Sequence, residues 1–223
     1  MEWDFGIWLV RGPYLLQGLW ITLLIVAAVL LISAPLAFLV SIALSARSRL
    51  FRMPAATLSW LIRGVPPLII LFIAYFVLPL ALNIRLEPIP AAICGFVLYN
   101  TFVFGEIIAG GLRSVPRGQH EAIATLGIPP LRAFRRIILP QAMPSIIPPY
   151  ISYAMDMVKG TALAGAIGVM ELVTRSSQAI IATNRPFEIL LGVAVIYGLI
   201  DSFLIAAQLW SERHFAHKDR RKA

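Results

Sequence analysis

The chain reads as an all-α integral membrane protein with five transmembrane helices. Three observations predict this class. Of the 223 residues 59% are hydrophobic and only 13% charged, whereas a soluble domain carries about 25% charged residues. No charge occurs between Arg11 and Arg47, a run longer than the ~20 apolar residues that cross a bilayer. The remaining charges fall in the connections between apolar runs, and basic connections alternate with neutral ones.

The first span lies within 15–44, longer than a bilayer requires, so it tilts, kinks at Pro35 or protrudes. The second is expected over 58–82, the third over 89–112, the fourth over 143–165 and the fifth over 187–210. Pro148 and Pro149 are expected to break the start of the fourth span. The mixed segment 166–186 is expected as a short helix that lies at the surface or partly re-enters. Residues 1–12, "MEWDFGIWLVRG", lack the basic start of a signal peptide.

Charge placement sets the expected orientation. The first connection holds Arg47, Arg49 and Arg52; the third holds Arg113, Arg117, Arg132, Arg135 and Arg136 against Glu121. The tail holds Arg213, Lys218, Arg220, Arg221 and Lys222 against Glu212 and Asp219. The segments between them are near neutral or slightly acidic. The positive-inside rule then puts the N-terminus outside and the C-terminus in the cytoplasm, the parity that five spans require. Residues 1–14 form an external segment, 15–212 the transmembrane domain and 213–223 a basic cytoplasmic tail drawn to anionic lipid. The net charge of +8 is thereby assigned to membrane topology, with no nucleic acid as partner. The single cysteine, Cys94, lies in an apolar run and is expected to be buried as a small hydrophobe.

The stretch 121–140, "EAIATLGIPPLRAFRRIILP", departs from its apolar surroundings. Pro116 and Gly127 bound a short helix over 117–126, with Gly127 in a left-handed cap. Pro129 and Pro130 forbid its simple continuation but can start a second helix, whose end Pro140 disturbs. In that second helix Leu131, Phe134 and Ile138 share one face, and Arg132, Arg135 and Arg136 fall largely on the other. Such a pair fits a helix resting on lipid or a knob seated in a partner's groove.

Residue identity adds a resemblance. Glu121, Ala122, Gly127, Ile137, Leu139 and Pro140 match the EAA motif of bacterial ABC importer permeases, with Ile123 at the third position in place of alanine. "RGVPPLIILFIAYFVLP", "GEIIAGGLRSVPRGQHEA", "RRIILPQAMPSIIPP", "KGTALAGAIGVMEL" and "RPFEILLGVAVIY" are similar, in order, to the polar amino acid permeases of the histidine/glutamine type, and the likeness spans residues 12–200. The resemblance implies a type I ABC importer transmembrane domain in the bacterial inner membrane. It implies pairing with a second permease subunit, the same or a sister chain, and delivery of a polar amino acid by a substrate-binding protein. It also implies coupling through residues 116–140 to an ATP-binding ABC subunit that holds ATP and Mg. The chain has no G-x-x-x-x-G-K-[ST] loop, so no catalytic or cofactor-binding residue is expected in it. No metal site is expected either. Glu121, Ala122, Gly127, Leu131, Phe134, Ile137, Leu139 and Pro140 are the expected ATPase-coupling residues. Glu121 serves the helix dipole or a partner contact, and the three arginines meet acidic groove edges or lipid phosphates.

Ionisable residues at membrane depth are candidates for function. Arg63, near an end of its span, is expected to snorkel. Glu106 is expected to be structural or gating. Asp201 is expected to pair helices through a hydrogen bond. Asp156 and Lys159, three residues apart, share a helix face and neutralise each other, as an anchoring ion pair or as part of the pathway. On the pathway reading, Asn100, Asp156, Lys159 and Thr161 face the substrate, and Asp156 with Thr161 or Asn100 meets its ammonium group. A secondary transporter without an ATPase is the alternative, but it leaves 121–140 unexplained. A membrane enzyme would need a His, Asp and Glu cluster, which the sequence lacks.

Overall fold

The computed structural model describes residues 5–220, with side chains to Arg213. The acidic residues Glu2 and Asp4, and the tail's charges beyond Arg213, lie outside the described side chains. Among the described residues all regular structure is helical: α1 Ile7–Leu44, α2 Arg49–Gly64, α3 Pro67–Leu82, α4 Pro88–Arg113, α5 Arg117–Thr125, α6 Pro130–Ile167, α7 Leu172–Thr183 and α8 Pro186–Arg220. Three helices, α1, α4 and α8, are long and apolar enough to cross a membrane singly. Two interrupted pairs, α2 with α3 and α6 with α7, reach that mark only together, which brings the count to five.

Several boundaries differ from expectation. The second span, expected as one helix over 58–82, is interrupted at Val65 and Pro66. Val65 precedes a proline, which disfavours the helical conformation there, and Pro67 then starts α3 at its first turn. The fourth span, expected over 143–165, belongs to a helix running from Pro130 to Ile167, with a 3₁₀ stretch from Thr161 to its end. Pro148 and Pro149 do not break it. The prolines recur at four-residue spacing, Pro140, Pro144 and Pro148. The missing N–H groups of Pro144 and Pro148 therefore fall opposite the carbonyls of Pro140 and Pro144, so the lost bonds stack on one stripe. Ser152 Oγ donates to Pro148 O at 3.1 Å, the bond one turn back that a helical serine commonly makes.

Pro140 also fails to end the coupling segment's second helix. A π turn at Phe134–Ile138 comes just before it, and Leu139 N–H donates to Phe134 O. The same device occurs in α3, where a π turn at Ile73–Val77 precedes Pro79 and Leu78 N–H donates to Ile73 O. A widened turn relieves the clash between a proline ring and the carbonyl one turn back, so the helix resumes.

The chain divides into two compact units, and α1, α4, α6 and α8 contribute residues to both. In the unit of residues 1–33, 64–100 and 154–203, Leu15, Leu172, Ala179, Ile189 and Val193 form a buried cluster. The segment 166–186 is thus a short helix, α7, packed by its apolar face against α1 and α8. Close approach depends on missing side chains. A Cβ on Gly18 would lie 2.9 Å from Leu172 Cα, and one on Gly192 would enter the Trp8 ring. Small residues are how spanning helices approach closely. Leu172 N–H donates to Thr22 Oγ1 at 3.3 Å, and Trp8 Nε1 donates to Glu188 O at 3.0 Å.

In the unit of residues 34–63, 101–153 and 204–223, Val115, Ile138, Ala142 and Ile146 are buried together, with Phe134 and Ile123 against them. Gly111 lets Ile146 reach the α4 backbone. Phe104 stacks on Tyr150 at 4.1 Å and meets Tyr153 edge-on at 5.5 Å.

Candidate functional site

The segment 116–140 builds a rigid exposed corner. Helix α5 ends in two interlocking bonds: Ile128 N–H donates to Ile123 O and Gly127 N–H to Ala124 O, each 3.2 Å. This is the Schellman pattern, which requires a left-handed residue. Gly127 supplies it with φ +61°. Pro129, at φ −53° and ψ 137°, then caps α6, and Pro130 occupies its first turn. Two prolines and one glycine thus set the path between α5 and α6 with little backbone freedom.

Leu126 is 72% and Leu131 68% exposed. Glu121, Ala122, Gly127 and Pro140 are exposed too, while Phe134, Ile137 and Leu139 are half-buried. Beside Leu126 lies a depression of about 450 Å³, lined by Gly127, Ile128, Pro129, Arg132, Arg136 and Ile137. The single apolar face expected for Leu131, Phe134 and Ile138 is split. Leu131 points outward, Ile138 joins the buried cluster, and the Phe134 ring rests 5.8 Å from that of Phe38. Phe134 packs on the cluster that holds Ile138, so those two share the expected face, while Leu131, in the first turn of α6, stands outside it. Thr125 Oγ1 donates to Glu121 O at 3.0 Å.

The polar groups of the spans pair differently from expectation. Lys159 Nζ bonds Asp201 Oδ2 at 2.9 Å, so its partner is not Asp156, and Asp201 serves an ion pair. A turn of one helix brings Asp156 and Lys159 near each other, but α8 offers Lys159 a carboxylate across a helix interface. Asp156 is exposed and has no ion pair among the described residues. Asn100 is buried; its Nδ2 donates to Phe96 O at 2.7 Å, and its Oδ1 has no partner. Thr161 is buried with its hydroxyl donated to Val158 O at 2.7 Å. Glu106 accepts from Ser59 Oγ at 2.9 Å and pairs with Arg63 at 3.3 Å and Arg113 at 4.0 Å. Arg63 is therefore held by a carboxylate instead of snorkelling freely. Cys94, expected buried, is exposed; α4 turns it away from the packed helices. Among the described residues no His, Cys, Asp and Glu group could hold a metal ion.

Two residues of the segment 166–186, Glu171 and Arg175, organise the first unit. Glu171 is fully buried and caps α7, accepting from Val173 N–H at 2.8 Å, Thr174 N–H at 2.6 Å and Thr174 Oγ1 at 2.8 Å. Its carboxylate also meets the positive end of the helix dipole. Arg175 ties α7 to the start of α1, donating to Gln17 Oε1 at 2.9 Å and lying 4.5 Å over the Tyr14 ring. The signal available for Glu171 was an acid followed three residues later by Thr174 at a helix start.

The family model of the binding-protein-dependent transport system inner membrane component matches residues 33–217. The chain belongs to that family. This permease is 34% identical over 208 residues to the probable amino-acid ABC transporter permease protein YckA of Bacillus subtilis (strain 168), covering 92% of this chain and 90% of that one. It is 32% identical over 219 residues to the probable amino-acid ABC transporter permease protein PatM of Vibrio harveyi, covering 95% and 96%. Among solved structures, its fold matches that of an amino acid ABC transporter with histidines at a TM-score of 0.86, over 96% of this chain and 100% of that one, with 24% identity. The permease is a multi-pass protein of the inner membrane with the transmembrane fold of type I importers, and it works with further subunits of an ABC transport system.

Proposed function

We propose that this permease, with a second identical or sister permease chain, forms the path by which a polar amino acid or close derivative is imported. A separate chain hydrolyses ATP with Mg and seats on residues 116–140, and a substrate-binding protein delivers the amino acid from outside. The N-terminus lies outside, the C-terminus lies in the cytoplasm, and the basic tail rests on anionic lipid. The observation that carries this reading is the exposed corner around Gly127. Leu126 and Leu131 have no cover within the chain, although they lie in its most basic connection. A stiff corner transmits motion between two states as a rigid body. Of the pathway candidates, Thr161 donates its hydroxyl within its own helix, so Asp156 and Asn100 remain to face the substrate.

The test is co-expression with the ATP-binding subunit of its transport system. The wild-type permease should hold the ATPase through purification and support ATP-dependent uptake of radiolabelled amino acids in vesicles with the binding protein. The pair Leu126→Asp and Leu131→Asp, both on exposed positions, should release the ATPase while the permease keeps its melting temperature. Undiminished association of that variant, or uptake that continues without ATP, would reject the proposal; the second outcome would point to a secondary transporter.

A further inference from the structure

The Lys159–Asp201 pair is unusual for a membrane span. Asp201 lies about 18–22 Å from either end of the span Pro186–Arg213, at 1.5 Å per residue. That is near the middle of a hydrocarbon layer about 30 Å thick. An ion pair that served only to pin two helices at this depth would use all its lone pairs, because an unmet polar atom has no water to turn to. This pair does not. Lys159 binds Asp201 Oδ2 alone, while Asp201 Oδ1 is buried with no partner. The two ends also differ in access: the Lys159 side chain is 52% exposed and that of Asp201 21%. Lys159 sits two residues before the 3₁₀ stretch that starts at Thr161, where the regular helix of α6 gives way. The arrangement is a cation that can be approached from outside, joined to a carboxylate with one oxygen free.

We infer that Lys159 and Asp201 form the head-group site for the zwitterion of an α-amino acid; this rests on the amino acid importer reading above and assigns its site. The substrate's α-carboxylate takes Asp201's place on Lys159 Nζ. The α-ammonium bonds Asp201 through Oδ1, the oxygen that has no partner. Two opposite charges side by side are complementary to two opposite charges side by side in reverse order, so charge stays balanced with and without substrate. Such a site reads only the groups common to all amino acids. Asp156 and Asn100 are then left for the substrate's side chain. The pair also blocks itself when empty, since each charge neutralises the other, which disfavours passage of small ions.

The experiment measures binding of radiolabelled arginine, glutamine and histidine to the purified permease–ATPase complex in nanodiscs without binding protein. N-acetylated and decarboxylated forms of the same amino acids serve as competitors. In the wild type, both analogues should compete at least tenfold less well than the parent amino acid. Lys159→Met should abolish the disadvantage of the decarboxylated form only, and Asp201→Asn that of the N-acetylated form only. The charge exchange Lys159→Asp with Asp201→Lys keeps an ion pair across the same interface. It should restore the melting temperature but not binding. Binding restored by the exchange, analogues that compete as well as the parent in the wild type, or no binding of the three amino acids at millimolar concentration would overturn the inference. The analogue competition needs no variant, so it decides the matter even where a substitution fails to fold. Uptake by the wild type alongside any of these results would leave the importer reading intact and reject only the site.

Discussion

Gly127 is the residue on which the coupling corner turns, and its replacement can be worked through in energies. A Cβ at this position meets nothing within 4 Å, so sterics against neighbours contribute nothing. The cost is the backbone alone, at φ +61°. An alanine in the left-handed region costs about 1 kcal/mol, and a β-branched residue about 2 kcal/mol or more. Holding the corner closed are the two bonds of Ile128 and Gly127 to the end of α5. Both are at the surface, where two such bonds contribute about 1–2 kcal/mol together. Alanine therefore offsets most of the closing energy, whereas valine exceeds it. Gly127→Ala should lower the closed population by about fivefold relative to the open one, and Gly127→Val by about thirtyfold. Gly127→Asn should stay close to wild type, because asparagine adopts this conformation readily. The assay is retention of the ATPase on the purified permease, titrated to give an affinity for each variant. The expected order is Gly, Asn, Ala, Val. A valine variant that binds the ATPase like wild type, or an asparagine variant weaker than alanine, would refute the reasoning.

Two further predictions concern the first unit. Glu171→Ala removes the cap of α7 and leaves half-buried N–H groups of Val173 and Thr174 unmet, a loss of about 1–3 kcal/mol; the melting temperature in detergent should fall markedly, with Glu171→Gln in between, and an unchanged alanine variant would contradict the role. Gly18→Ala presses a methyl onto backbone atoms that cannot rotate away, Leu172 Cα at 2.9 Å and Glu171 O at 3.0 Å, at a cost of about 1–3 kcal/mol. Gly12→Ala, whose Cβ meets nothing within 4 Å, is the matched control and should melt no lower than wild type.

Composition and punctuation carried much of this protein into view. Long uncharged runs are a property of the chain itself, because the bilayer sets a length and a polarity that any span must meet. Gly127, Pro129 and Pro130 act within a few bonds of where they stand, so the turn at the coupling corner is legible without knowing what surrounds it. The residues that match the EAA motif likewise needed only their spacing. What lay beyond reach was whatever depended on a neighbour from elsewhere in the chain. Lys159 has a carboxylate three residues away in Asp156 but pairs with Asp201, forty-two residues on, because packing of α6 on α8 decided which carboxylate was presented. Arg63 found Glu106 in the same way. Phe134 and Ile138 share a buried face as expected, but Leu131 stands beyond the cluster they join and the fold leaves it exposed. Glu171 shows its part only in the fold, which buries it at the start of α7. Local conformation and membrane character follow from the sequence alone because they are set by short-range sterics and by solvent. Partnership among charges follows from tertiary structure because it is fixed only when distant helices have chosen their contacts.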